Sequence, residues 1–151
     1  MSKTINSNIL NIERKFSVSR ETLYQAWTKP EYLQKWHAPG DLTVKEASAD
    51  VRVDGEYKIV MQSDKGTHIV IGSYKEVIPN EKLVYTWQWQ DNECSGKEPN
   101  ETLVTLNFKS VDEKNSTLLL THERFTSEEA KIDHAKGWEG CLANLELKHL
   151  N

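Results

Sequence analysis

The chain has 151 residues, of which 37% are hydrophobic and 28% charged, with a formal net charge of −4. A domain of this length buries roughly 70% of the surface its unfolded chain exposes, so a core needs no disulfide or metal staple. No basic block is present to meet a nucleic-acid backbone, and no apolar run is long enough to span a bilayer.

The first ten residues, "MSKTINSNIL", lack a signal-peptide core, and the chain reads as cytoplasmic. In that compartment Cys94 and Cys141 are expected as free thiols, and no His/Cys spacing fits a metal. "NILNIERKF" alternates, with Leu10, Ile12, Arg14 and Phe16 on one side, and predicts a strand. Two short helices follow. Ser19 caps the first, whose stripe is Leu23, Ala26 and Trp27; Pro30 opens the second, which turns Leu33 and Trp36 inward and stops at Pro39-Gly40.

A β region comes next. "LTVKEASADVRV" is followed by an Asp54-Gly55 turn, and "EYKIVMQS" alternates Tyr57, Ile59 and Met61. "DKGT" predicts a hairpin around Gly66, and "HIVIGSYKEVI" puts His68, Val70, Gly72 and Tyr74 on one face. "KLVYTWQWQ" does the same for Leu83, Tyr85, Trp87 and Trp89. After the polar loop "DNECSGKEPN", two further strands align Val104, Leu106 and Phe108, then Leu118, Leu120 and His122. Short turns between successive strands imply an antiparallel meander.

The last element is a long helix, with Thr126 and Glu129 read as a capping box. His134, Trp138, Cys141, Leu142, Leu145 and His149 share one arc; Ile132, Leu147 and Leu150 lie off it. Gly137 and Gly140 flank Trp138, and each costs about 1 kcal/mol against alanine in a helix interior. The expectation is that they let another backbone approach the helix closely. Assembled, the elements give an α+β fold: a curved antiparallel sheet of about seven strands gripped by one long helix.

The stretches "AWTKPEYLQKWHAPG", "DVRVDGEYKIVM", "GSYKEVIPNEKLVYTWQW" and "LTHERFTSEEAKIDHAKGWEGCLANLE" resemble the family of activators of heat-shock-chaperone ATPase homologues, within the START and birch-pollen-allergen (SRPBCC) superfamily. The resemblance runs from about Ile9 to His149 and implies a single helix-grip domain. Asp54-Gly55 stands where that branch often has Gly-Gly. The superfamily includes lipid carriers, hormone receptors, cyclases and a chaperone cofactor, and a shared fold does not choose among them.

Three readings follow. In the first, the protein is a non-enzymatic carrier of a small hydrophobic or aromatic ligand held between sheet and helix. The candidate lining is Trp36, Tyr57, His68, Tyr74, Tyr85, Trp87, Trp89, Phe108, Leu120, His122, His134, Trp138, Cys141 and Leu142, with no metal and no cofactor. In the second it is a chaperone cofactor with a filled core, or pairs with a second copy of itself. In the third it is a cyclase- or hydrolase-like enzyme with His122 or a tyrosine as general acid. No nucleophile motif, P-loop or dinucleotide fingerprint supports the third.

Overall fold

A computed structural model describes residues 8–39, 42–64, 66–90 and 100–150. Gly40, Lys65 and the polar loop with Cys94 lie outside the described residues. Strand β1 (Leu10–Phe16) leads into α1 (Arg20–Thr28) and α2 (Pro30–Trp36). Six strands follow: β2 (Thr43–Ala49), β3 (Glu56–Ser63), β4 (Gly66–Ile78), β5 (Lys82–Trp89), β6 (Thr102–Asp112) and β7 (Asn115–Glu123). The chain ends in α3 (Glu128–Leu145), continued by one π-helical turn over Glu146–Leu150.

The seven strands form one antiparallel sheet in the order β1-β7-β6-β5-β4-β3-β2. Period-two patterning decides which face is covered. Leu83, Tyr85 and Trp87 on β5, Val104, Leu106 and Phe108 on β6, and Leu118, Leu120 and His122 on β7 are all buried beneath the helices. Fully burying each large apolar side chain contributes about 1.5–3 kcal/mol. Arg14, on the same side of β1, reaches the helix and pairs with Glu146 at 2.6 Å.

The local signals act where the sequence places them. Ser19 Oγ accepts from Thr22 N at 3.2 Å and starts α1; Pro30 occupies the first turn of α2, where a missing N–H costs nothing. Asp54 takes a left-handed φ of 69°, and a Cβ on Gly55 would stand 2.0 Å from the Asp50 carbonyl oxygen, so this turn requires its glycine. One cap differs from expectation. The N-cap of α3 is Ser127, whose Oγ accepts from Ala130 N at 3.1 Å, and not Thr126. Arg124 turns left-handed (φ 76°) after β7, and Phe125 is buried against His122 before the helix begins. The chain spends one more residue on that turn, so position N3 falls on Ala130 and no capping box forms.

Ile132 and Leu147 are exposed, as their place off the helical stripe requires. Leu150 instead packs against the core, because the wider π turn alters the angular spacing of the last residues.

Candidate functional site

The covered face of the sheet carries aromatic side chains along its length, and two different covers close it. At one end α1 and α2 bring Trp27, Leu33 and the buried His37 down onto Ile59, Tyr57, Tyr74 and Tyr85. The three tyrosine rings pack at 5.2–5.8 Å. Tyr57 Oη donates to the Thr86 carbonyl at 2.6 Å. Burial, with the neighbouring phenols adding to it, pushes the Tyr57 and Tyr85 hydroxyls well above their ordinary range, so they stay neutral. Only about 10 Å³ of free space remains among these seven residues. That is about the room one water needs.

At the other end α3 lies over β5. Two tryptophan–histidine hydrogen bonds join them in opposite senses. Trp138, on the helix, donates from Nε1 to His122 Nδ1 on β7 at 3.0 Å. Trp89, on the sheet, donates from Nε1 to His134 Nε2 on the helix at 3.1 Å. An indole N–H only donates, so each receiving ring nitrogen is unprotonated. His122 therefore carries its proton on Nε2 and donates to Thr102 Oγ1 at 2.7 Å, and Thr102 Oγ1 in turn donates to the Trp87 carbonyl oxygen at 3.1 Å. His134 carries its proton on Nδ1, facing the Ala130 carbonyl at 2.8 Å.

These bonds decide what the histidines can do. His122 is fully buried, and burial first, then the nearby His134, hold its pKa well below the usual value. Both of its nitrogens are occupied within the fold, which leaves none for proton transfer to a substrate. His122 and His134 stand 5.2 Å apart with Phe125 against both. They clamp the helix to the sheet. Cys141, three residues beyond Trp138 on α3, is buried, and burial pushes its thiol up, away from the thiolate that reactivity needs.

Between these clamps and the rim of the sheet lies an apolar cavity of about 180 Å³. Asp133, His134, Gly137, Trp138 and Cys141 form its helix wall, because residues three and four apart share a helix face. Trp87, Trp89 and Met61 form the sheet wall, and Pro39 and Leu42 the third side. A Cβ built on Gly137 meets nothing within 4 Å. The expected close backbone approach is thus overturned at this glycine: it borders open space. A second, larger concavity of about 830 Å³ is walled by Asp50, Arg52, Glu56, Lys58 and Gln88, with Ala49, Tyr57 and Ile71 among them, so charged and apolar surface share it about equally.

Of the residues singled out from the sequence, Trp87, Trp89, His134, Trp138 and Cys141 line the apolar cavity. Tyr57, Tyr74 and Tyr85 surround the small void instead. Trp36, Phe108, Leu120 and Leu142 are core: Trp36 Nε1 donates to the Ala26 carbonyl at 3.0 Å, and Phe108 packs edge-on against Tyr24. His68 is half-buried with its Nε2 3.0 Å from Ser63 Oγ, away from both spaces. Sequence reasoning passed over His37, Met61, Leu42 and Gly137 as lining. The phase shared by Met61 with Tyr57 and Ile59 carried the signal for one of them. His37, in "KWHAPG", gave none: the end of α2 buries it between Trp36 and Trp87, and burial lowers its pKa to about 4.

Among the described residues no cluster of acids, histidines or cysteines could hold a metal ion, and no helix is long and apolar enough to cross a membrane. A curled antiparallel sheet closed by one long C-terminal helix defines the chain as a helix-grip protein. The family model "Activator of Hsp90 ATPase homolog 1-like protein" (AHSA1) matches residues 17–148, and the chain belongs to that family. Among solved structures it is similar to a protein of Chromobacterium violaceum, at 26% identity and TM-score 0.80 over 91% of this chain and 94% of that one. It is similar also to the AHSA1 protein of Silicibacter pomeroyi, at 25% identity and TM-score 0.76 over 91% and 94%. An HSP90 activator from Plasmodium falciparum shares the fold at 23% identity and TM-score 0.68 over 93% and 94%. No curated protein matches the chain.

Proposed function

We propose that this protein is a non-enzymatic binder of a small, largely apolar ligand, held between β5 and α3. The observation that carries this reading is the cavity itself: about 180 Å³, walled by tryptophan, methionine and leucine, in a fold whose other end is packed nearly solid. An apolar cavity of about 150 Å³ is enough to take benzene, so the ligand, or the part that enters, has the size of one substituted ring. Drug-sized ligands occupy roughly 300 Å³ or more and would not fit without movement of the walls. Binding is driven by apolar area removed from water.

Titration with ethylbenzene, followed by tryptophan fluorescence, tests this. Saturable quenching in the wild type, lost in Gly137→Leu, is the expected result, because a leucine there occupies the cavity. No saturable change in the wild type would remove the reading. Mass spectrometry of the purified protein under native and denaturing conditions would identify a ligand carried from the cell.

The rival reading is a chaperone cofactor, favoured by the family and by the relative described as an HSP90 activator. Added to the chaperone, the protein would then raise ATP turnover in proportion to its concentration. That stimulation would be indifferent to Gly137→Leu if the cavity plays no part.

A further inference from the structure

The two tryptophan–histidine pairs that clamp α3 to the sheet differ in their access to water. His122 and Trp138 are both buried, so the fold fixes the proton state of that pair. His134 and Trp89 are half-buried, and both line the cavity of about 180 Å³. An indole N–H only donates, so the 3.1 Å bond from Trp89 Nε1 exists only while His134 Nε2 carries no proton. His134 Nδ1 is already the protonated nitrogen, 2.8 Å from the Ala130 carbonyl. The next proton that the ring takes up must therefore go to Nε2, where it would face the indole donor against donor. Imidazoles change charge between about pH 5 and 8.

We propose that His134 is a proton-operated latch on this cavity: neutral, it ties Trp89 into the wall and admits an apolar ligand; protonated, it releases Trp89 and rejects that ligand. The inference rests on the cavity-binding reading above and adds its regulation. Two effects act in the same direction. The bond that joins two wall residues is lost. An imidazolium also holds water, and an apolar ligand seated against it would strip that water away at a cost. Trp89 of β5, His122 of β7 at 5.2 Å and Phe125 at 4.9 Å face the ring. None of the three carries a charge at neutral pH, since burial and then His134 hold the pKa of His122 well below its usual value. On α3 itself Lys131, one turn earlier, and Asp133 beside it have opposite signs. The buried Trp138–His122 pair stays bonded through the same pH change, so the latch opens the wall and α3 remains on the sheet.

The test is a fluorescence titration of the wild type with ethylbenzene from pH 7.5 to 5.5, repeated on His134→Gln, whose amide oxygen can accept from Trp89 at any pH. A ligand that binds only the neutral ring loses affinity by up to about tenfold per pH unit once that ring protonates. The expected result is that fall in the wild type and a flat profile in His134→Gln, whatever the variant's own affinity. In ¹H–¹⁵N spectra of the ligand-free wild type the Trp89 indole signal should shift with the same midpoint while that of Trp138 stays in place, and ethylbenzene should move the Trp89 midpoint to lower pH. A constant wild-type affinity would overturn the proposal and leave the cavity reading standing. A fall shared by wild type and His134→Gln would overturn it too, since acid would then act through another group. No saturable binding at any pH would overturn both readings. If the variant does not fold, the wild-type spectra decide: a Trp89 midpoint that ethylbenzene does not move overturns the latch.

Discussion

The two ends of the covered sheet face are built from the same kind of residue and end differently. Tyr57, Tyr74 and Tyr85 line one end, Trp87, Trp89 and Trp138 the other. Beneath α1 and α2 the rings interlock and leave about 10 Å³; beneath α3 they leave about 180 Å³. The sheet is not the cause, since β5 supplies both walls from one alternating run, Tyr85 to Trp89. The cover is. Trp27, Leu33 and His37 push large side chains into the tyrosine end, whereas α3 offers Gly137 to the tryptophan end. Aromatic content alone does not make a cavity; the volume of what faces it does.

The largest expected break is at the filled end. Trp36→Ala should cost about 3–5 kcal/mol in denaturant unfolding, since it opens a hole in close-packed core and removes the donor to Ala26. If the filled end is core alone, the folded variant should bind ethylbenzene as the wild type does.

Acid should act next. His37 is held neutral with its pKa lowered to about 4 against 6.5 in the open chain, and burial holds His122 well below its ordinary value too. Between those values the unfolded chain binds protons that the folded chain refuses, so stability falls as pH falls. The loss begins near pH 6.5 and proceeds at up to about 1.4 kcal/mol per pH unit for each histidine, reaching about 3 kcal/mol from His37 by pH 4. Unfolding curves at pH 7, 5.5 and 4 would show it. A flat profile would mean that both rings take up their protons in the folded protein, and half the slope that one of them does.

Trp138→Phe should cost about 1–3 kcal/mol, because it leaves His122 Nδ1 buried without its donor. Trp89→Phe should cost less than about 1 kcal/mol, since that pair is half-buried and water can replace the indole. The order of the two variants in thermal melts measures how much of the helix clamp each crossed pair carries.

The smallest effects have opposite signs. Gly137→Ala should raise stability by up to about 1 kcal/mol, because its Cβ meets nothing and alanine favours helix. Gly72→Ala should lower it: a Cβ there would stand 1.9 Å from the Thr86 carbonyl, the oxygen that also accepts from Tyr57. If Gly137→Ala melts lower, the space beside it is not open.

Sequence patterning alone specified the architecture. Period-two alternation placed Leu83, Tyr85 and Trp87 on one face, and a helical stripe placed Trp138, Cys141, Leu142 and Leu145 on another, because burial imposes those periods locally. Ser19, Pro30 and Asp54-Gly55 announced their turns for equally local reasons. What the period could not tell was which buried aromatics meet a partner and which meet space. That depends on the cover each receives, and the cover comes from residues far away in the chain. His37 is buried by Trp36 and Trp87, His122 has its tautomer set by Trp138, and Trp87 is left with an idle donor between neighbours that are both engaged. Hydrogen-bond partnership and free volume are properties of three-dimensional neighbours, so only the tertiary structure decided them.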